Sequence, residues 1–143
     1  LGYWNKPDAT ADAFHGGWFH SGDLVRVDED GFVYVVDRAK DMIISGGENI
    51  YCSEVENVLA AHHDIVEVTL IGHPHPVWGE TPVAFVVPRG PAAALDITSV
   101  REWASASLAK YKLPTQLEVI DALPRNASGK ILKNTLRKQG QHS

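Results

Sequence analysis

The chain has 143 residues, enough for one globular core or for one domain and a piece of another. Its content of 44% hydrophobic and 22% charged residues is ordinary for a soluble globular protein. The formal net charge of -5 argues against a nucleic-acid binder, which needs a basic surface to meet phosphates.

No apolar run approaches the roughly 20 residues of a membrane-spanning helix. The longest candidate, Val83 to Val87, is closed by Pro82 and Pro88. The N-terminus lacks the basic and apolar regions of a signal peptide. It begins with Leu1 rather than methionine, so the chain reads as a fragment or a processed product. The single cysteine, Cys52, has no partner for an internal disulfide, which suits a reducing compartment, and the expected location is cytoplasmic.

In chain order, Lys6-Pro7-Asp8 marks a turn, and Asp8 or Thr10 is placed to cap a short helix through Ala11 to Phe14. His15-Gly16-Gly17 ends it. Trp18-Phe19-His20-Ser21-Gly22-Asp23 reads as a loop whose aromatics anchor it to a core, with Asp23 either a turn residue or a ligand contact. Leu24–Val27 and Phe32–Asp37 read as a β-hairpin closed by Asp28-Glu29-Asp30-Gly31, whose glycine supplies a positive φ.

The stretch from Asp37 to Ile50 organises the rest. A charged cluster (Asp37, Arg38, Lys40, Asp41) precedes a short apolar strand, Met42 to Ile44, and a small-residue turn, Ser45-Gly46-Gly47. That order suggests a boundary between two moving bodies. Ser53-x-x-Glu56 then has the pattern of a helix capping box, with Val55, Val58 and Leu59 on one face and an end near His62. His62 and His63 read as imidazoles favourably placed after a helix C-terminus.

Ile65 to Ile71 alternates as a strand with one wetter face, and Gly72-His73-Pro74-His75-Pro76 is expected to be a loop. Its His-x-His pair lacks the further ligands of a metal site. Val83 to Val87 is apolar on both faces and predicts a central strand. Arg89-Gly90-Pro91 and the following alanines form a surface connection. Thr98 is placed to cap a second helix with Val100, Trp103, Ala104 and Leu108 on one face, ended before Pro114. Leu117 to Ile120 predicts a short strand. Leu123 to Lys130 predicts a loop, and a basic helix follows from about Ile131 to Lys138, anchored by Ile131, Leu132 and Leu136.

Three features carry chemistry. Lys130 follows Ser128-Gly129 and is expected to open the last helix, where a helix N-terminus favours anions and a lysine adds a point charge. A Walker A loop is excluded by Pro124 and Ile131, which stand where glycine and Ser or Thr are required. The alternative is a solvated lysine on a basic helix. Arg38 offers a planar fork for phosphate or ribose oxygens, or a salt bridge to Asp37 or Asp41. Gly46-Gly47 exposes backbone N–H groups to a ligand, or is simply a turn.

Phe19-His20-Ser21-Gly22-Asp23, Asp37-Arg38-Ala39-Lys40-Asp41, Ser45-Gly46-Gly47-Glu48-Asn49-Ile50 and Pro124-Arg125-Asn126-Ala127-Ser128-Gly129-Lys130 together resemble the C-terminal motifs of the adenylate-forming superfamily. The glycine loop, with Glu54-Val55-Glu56 after it, is most similar to the fatty-acyl-CoA synthetase branch. The resemblance implies an α+β fold. A small mobile C-terminal domain, a sheet flanked by helices over residues 38–143, follows a β-hairpin tail (1–37) of the larger N-terminal adenylation domain.

It implies a two-step ligase reaction. A carboxylic acid and Mg-ATP give an acyl-adenylate and pyrophosphate, and coenzyme A then displaces AMP. ATP, Mg2+ and CoA serve the intact enzyme, and none is bound tightly by this piece, which alone is inactive. By resemblance Lys130 is catalytic, Asp23 and Arg38 bind the adenylate, Lys40 is the hinge, and Gly46 and Gly47 line the CoA channel. Ile44 replaces a lysine that some branches use on the adenylate, and Cys52 replaces a proline common after the glycine loop. Two other functions fit the motifs: an adenylation domain loading a carrier protein, or a non-catalytic interaction module.

Overall fold

Residues 2–90 and 95–139 are described in the computed structural model, the side chain of Gln139 excepted. They divide into two units between Lys40 and Asp41, inside the charged cluster.

In the first unit, helix α1 spans Pro7–Ala13 and a 3-10 turn spans His15–Gly17. Proline at the first helical position loses no hydrogen bond, so the helix starts earlier than expected, with Lys6 as an uncapped N-terminal residue. Neither Asp8 nor Thr10 caps it. The Thr10 hydroxyl instead donates to the Lys6 carbonyl and accepts from the Tyr3 N–H.

Strands β1 (Asp23–Val27) and β2 (Val33–Arg38) form the expected hairpin. Asp28 builds its turn by accepting from the N–H groups of Phe32 and Asp30 and from the Tyr34 hydroxyl. Those bonds, Phe32's foremost, hold the Asp28 carboxyl below its ordinary pKa. No described residue from 2 to 40 is buried. Trp18 and Phe19 were expected to anchor a loop to a core, but they stay 77% and 57% exposed because their unit supplies none.

The second unit contains β3 (Ile43–Ser45), β4 (Glu48–Ile50), α2 (Cys52–Ala60), β5 (Ile65–His75), β6 (Gly79–Pro88), α3 (Ile97–Ala104), β7 (Gln116–Val119) and α4 (Lys133–Gln139). The strands make one mixed sheet in the order β4-β3-β6-β5, and β7 runs parallel to β6 along Val83–Val86. With pairing on both of its sides, β6 is the central strand its double-sided apolar pattern predicts.

Alternation along β5 and β6 splits the core in two. Leu70, Ala84 and Val86 pack with Val55 and Leu59 of α2 and Val100 and Ala104 of α3. Ile71, Val83 and Phe85 pack with Leu123 and with Leu136 of α4. The sheet is thus covered by helices on both faces, the α+β layering expected from the resemblance.

In the second unit five local expectations fail. The strand β5 continues through Gly72, His73, Pro74 and His75 because β6 pairs with it all the way to Gly79, and an edge strand tolerates proline. The α2 capping box does not form; Tyr51 is the N-cap and no side chain caps it. Asp96, not Thr98, caps α3, its carboxylate accepting from the N–H groups of Thr98 and Ser99. Helix α3 ends at Ala104, so Leu108 lies beyond it, and Trp103 stays partly exposed while Val100, Ala104 and Leu108 are buried. Helix α4 begins at Lys133, so neither Ile131 nor Leu132 lies in it, and Lys130 does not open it. The connection expected beyond Gly90 lies, for residues 91–94, outside the described residues.

Glu56 shows why the capping box is lost. Its Oε1 accepts from the Leu70 N–H at 2.7 Å, the Thr69 hydroxyl at 3.0 Å and the Lys133 ammonium at 2.8 Å. The carboxylate joins α2, an edge strand and α4 in one half-buried cluster. Burial works against the Lys133 charge, but Cys52, Glu56 and Asp41 outweigh it and raise its pKa above the ordinary lysine value. Glu56→Ala leaves three donors without their acceptor and is expected to cost about 1–3 kcal/mol in urea unfolding. A raised lysine pKa stabilises fully below the unfolded value and stops doing so as pH climbs through the folded one. Lys133→Met is therefore expected to flatten the alkaline loss of stability.

Candidate functional site

The β1–β2 register sets Asp23 directly opposite Arg38. Arg38 Nε lies 2.8 Å from Asp23 Oδ1, with the Arg38 side chain 53% exposed. The partner is neither Asp37 nor Asp41, because cross-strand neighbours share a face while sequence neighbours point apart. Arg38 Nη1 also donates to the Ser21 carbonyl at 3.5 Å, so the pair leaves Asp23 Oδ2 as an acceptor for hydroxyl donors and the remaining guanidinium N–H groups as donors toward oxyanions. Lys40, exposed, is the last residue of this unit.

Gly46 and Gly47 are the two central residues of the β3–β4 hairpin, with φ of +59° and +86°. Two consecutive positive φ values define the turn that matches the twist of a two-residue hairpin. The Gly46 N–H donates to the Trp78 carbonyl at 2.9 Å. A Cβ on Gly46 would stand 2.8 Å from Trp78 Cε3, so the indole fixes the turn from one side. Trp78 also borders a cavity of about 390 Å³ lined by His73, His75, Thr81, Gln116 and Glu118 among others. His75 Nδ1 accepts from the N–H groups of Val77 and Trp78, which orders the β5–β6 turn.

Lys130 lies on a separate, exposed loop between β7 and α4. Arg125 and Ile131 form an isolated antiparallel bridge across its base. The Asn126 side-chain oxygen accepts from the N–H groups of Ser128 and Lys130 and from the Ser128 hydroxyl. Gly129 turns the chain with φ +81°. Among the described residues no side chain pairs with the Lys130 ammonium. The helix terminus expected there is absent, since α4 begins at Lys133, so only the lysine charge is left to favour an anion.

Asp41 ties the start of the second unit to its core. The Cys52 thiol donates to the Asp41 carbonyl at 2.8 Å, and Arg137 of α4 lies 3.5 Å from the Asp41 carboxylate. Cys52, in place of a ring that would fix the entry to α2, is buried and holds that entry by a partly buried hydrogen bond.

His62, His63 and Asp64 are the one group of three possible metal-ligating side chains among the described residues. His62 is buried against Trp103, stacks on His63, and accepts from the Asp64 N–H. Two imidazoles and one carboxylate do not suit magnesium, which takes oxygen ligands.

Comparison with known proteins decides the family. Residues 54–130, more than half of the chain, match the model of the AMP-binding enzyme C-terminal domain. The chain belongs to this family.

This AMP-binding C-terminal domain is 49% identical over 138 residues to the 2-succinylbenzoate–CoA ligase of Geobacillus kaustophilus (strain HTA426), covering 96% of this chain and 28% of that protein. It is 46% identical to a long-chain-fatty-acid–CoA ligase of Mycobacterium tuberculosis (strain CDC 1551 / Oshkosh), covering 96% of this chain and 27% of that protein. The solved structure of Bacillus subtilis o-succinylbenzoate CoA synthetase with its acyl-adenylate intermediate superposes with a TM-score of 0.85 at 43% identity, over 95% of this chain and 28% of that one. The same enzyme has been solved with ATP and a magnesium ion, at a TM-score of 0.84 and 42% identity over the same shares of the two chains. The chain thus spans a little over a quarter of the length of these relatives, which are CoA ligases.

The domain also holds residues that the sequence did not single out. Arg125 Nη1 donates to the Gly129 carbonyl at 2.8 Å and its Nη2 lies 2.6 Å from Glu67 Oε1 on β5. The Asn126-x-Ser128 pattern is an Asx-turn signature that points to the loop's shape. Nothing local points to Glu67, which lies 58 positions from Arg125. No helix among the described residues is long and apolar enough to cross a membrane.

Proposed function

We propose that this chain is the C-terminal part of an ATP-dependent fatty-acid or other carboxylate–CoA ligase, with residues 1–37 the tail of an adenylation domain and 38–143 a mobile domain that turns at Lys40. The observation that carries the reading is the placement of Lys130. A loop with an ordered backbone holds it out with an ammonium that no side chain pairs among the described residues, in the unit that also carries the Gly46-Gly47 turn.

In the first half-reaction the substrate carboxylate attacks the α-phosphorus of Mg-ATP. A C–O–P link forms, the bond to the β-phosphate oxygen breaks, and magnesium pyrophosphate leaves. Lys130 sits between the carboxylate and the α-phosphate, where its charge offsets oxyanions that converge in the transition state. Asp23 accepts from the ribose hydroxyls, and Arg38 orients Asp23 while donating to ribose or phosphate oxygen. Magnesium enters with the nucleotide as part of the substrate.

In the second half-reaction the domain has turned about Lys40. The Gly46-Gly47 turn lines the path of the pantetheine arm, the thiol sulfur attacks the acyl carbon, and AMP leaves. The uncovered apolar side chains of residues 2–40, Trp4 at 95% exposure foremost, support a larger domain packing against them. Nearly equal identity to an aryl-acid ligase and a fatty-acid ligase fits an acid pocket that lies in that domain.

The isolated chain is expected to release no pyrophosphate above background from ATP and a fatty acid. Robust turnover by residues 1–143 alone would refute the reading.

A further inference from the structure

The Lys130 side chain can act only as precisely as its backbone is held, and one peptide unit does the holding. The carbonyl of Gly129 and the N–H of Lys130 belong to the same planar group. Arg125 Nη1 donates to that carbonyl at 2.8 Å, and the Asn126 side-chain oxygen accepts from that N–H at 2.8 Å. Both edges of one plane are gripped by neighbouring side chains. The Asn126 N–H also donates to the Lys130 carbonyl at 2.9 Å, which constrains the peptide that follows.

The grip is anchored to the sheet. Arg125 uses its second terminal nitrogen on Glu67 of β5, 2.6 Å away. Both side chains are about two-fifths exposed. An exposed pair of this kind adds little to stability. Its geometry matters more, because a planar guanidinium with one nitrogen on Glu67 and the other on Gly129 sets the direction of the Gly129–Lys130 peptide relative to β5. Lysine in place of Arg125 cannot hold two partners in a fixed plane.

We propose that Arg125, Asn126 and Glu67 are positioning residues for adenylation, which aim Lys130 by clamping the Gly129–Lys130 peptide plane to strand β5. This rests on the adenylation role given to Lys130. Misplacing a reacting group by about 1 Å costs on the order of 100-fold in rate. A loop that has lost its clamp samples displacements of that kind.

The test measures both half-reactions in the intact ligase carrying this chain, for Arg125→Ala, Arg125→Lys and Glu67→Gln, with Lys130→Ala as the reference. Arg125→Ala is expected to lower kcat for pyrophosphate release about 10–100-fold. KM for ATP and the rate of thioester formation from supplied acyl-adenylate are expected to stay within about twofold. Glu67→Gln and Arg125→Lys are expected to fall between Arg125→Ala and wild type, with an unchanged melting temperature. Amide hydrogen exchange at Lys130 in the 143-residue chain is expected to speed up in Arg125→Ala. If Lys130→Ala abolishes adenylation while Arg125→Ala retains it within twofold, the positioning role is overturned and the role of Lys130 stands. Equal losses in both half-reactions for Arg125→Ala also overturn it, as a general structural effect. If Lys130→Ala itself retains adenylation, the underlying reading falls and the clamp's purpose with it.

Discussion

Lys130→Ala in the intact ligase is expected to slow acyl-adenylate formation by about 100–1,000-fold, the range for removing one donor that faces a developing oxyanion. Thioester formation from supplied acyl-adenylate is expected to stay within about threefold. The asymmetry follows from charge. Adenylation brings a carboxylate up to a triphosphate, and a cation between them lowers a repulsion that rises toward the transition state. In the thioester step the nucleophile is a thiol and the α-phosphate is a leaving group, so a lysine held at the first site has no converging anions to offset. The side chain is exposed on a loop outside the core, so its removal leaves the fold intact. Separate assays of pyrophosphate release and of thioester appearance measure the split.

Gly46→Ala is expected to produce the reverse pattern. Its φ of +59° is a region that costs a residue with a side chain about 1–2 kcal/mol. The added methyl would also lie 2.8 Å from Trp78 Cε3 and 3.3 Å from Cζ3. The indole must move or the turn must open, and either change displaces the backbone proposed to border the pantetheine path. Thioester formation is expected to fall on the order of 100-fold, the scale of a displacement of about 1 Å, with adenylation within about threefold. Gly47→Ala is the informative comparison, since a methyl there meets nothing within 4 Å and only the backbone strain at φ +86° remains. Its unfolding midpoint is expected to fall less than that of Gly46→Ala.

Where an element's own residues decide its structure, the sequence was readable. The apolar run Val83–Val87 announces a central strand, and Ser45-Gly46-Gly47 announces a turn, though nothing in Glu48–Ile50 announces the strand that pairs back on β3. Asp23 and Arg38, 15 positions apart, meet because a hairpin brings its ends together, and the residues between them spell a hairpin. Where distant groups compete, the local signal loses. Ser53-x-x-Glu56 carries a capping pattern, yet the Leu70 N–H on an edge strand and the Lys133 ammonium draw the Glu56 carboxylate to themselves. Gly72 and Pro74 look like loop residues, yet ladder pairing with Pro82 and Glu80 keeps them in β5. Lys130 was visible as a candidate, but its setting was not. The loop closes through the Arg125–Ile131 bridge two residues before the helix begins, and its anchor Glu67 lies on a strand far away in sequence.

The most direct measurement of the proposal is the ratio of the two half-reaction rates in single turnovers of the intact ligase, taken for Lys130→Ala and Gly46→Ala side by side. If one mobile domain presents Lys130 to the nucleotide and the glycine turn to the thiol, the ratio shifts at least about tenfold toward thioester formation in the first variant and at least about tenfold toward adenylation in the second. Parallel losses of both half-reactions in both variants would contradict a domain with two separate working ends.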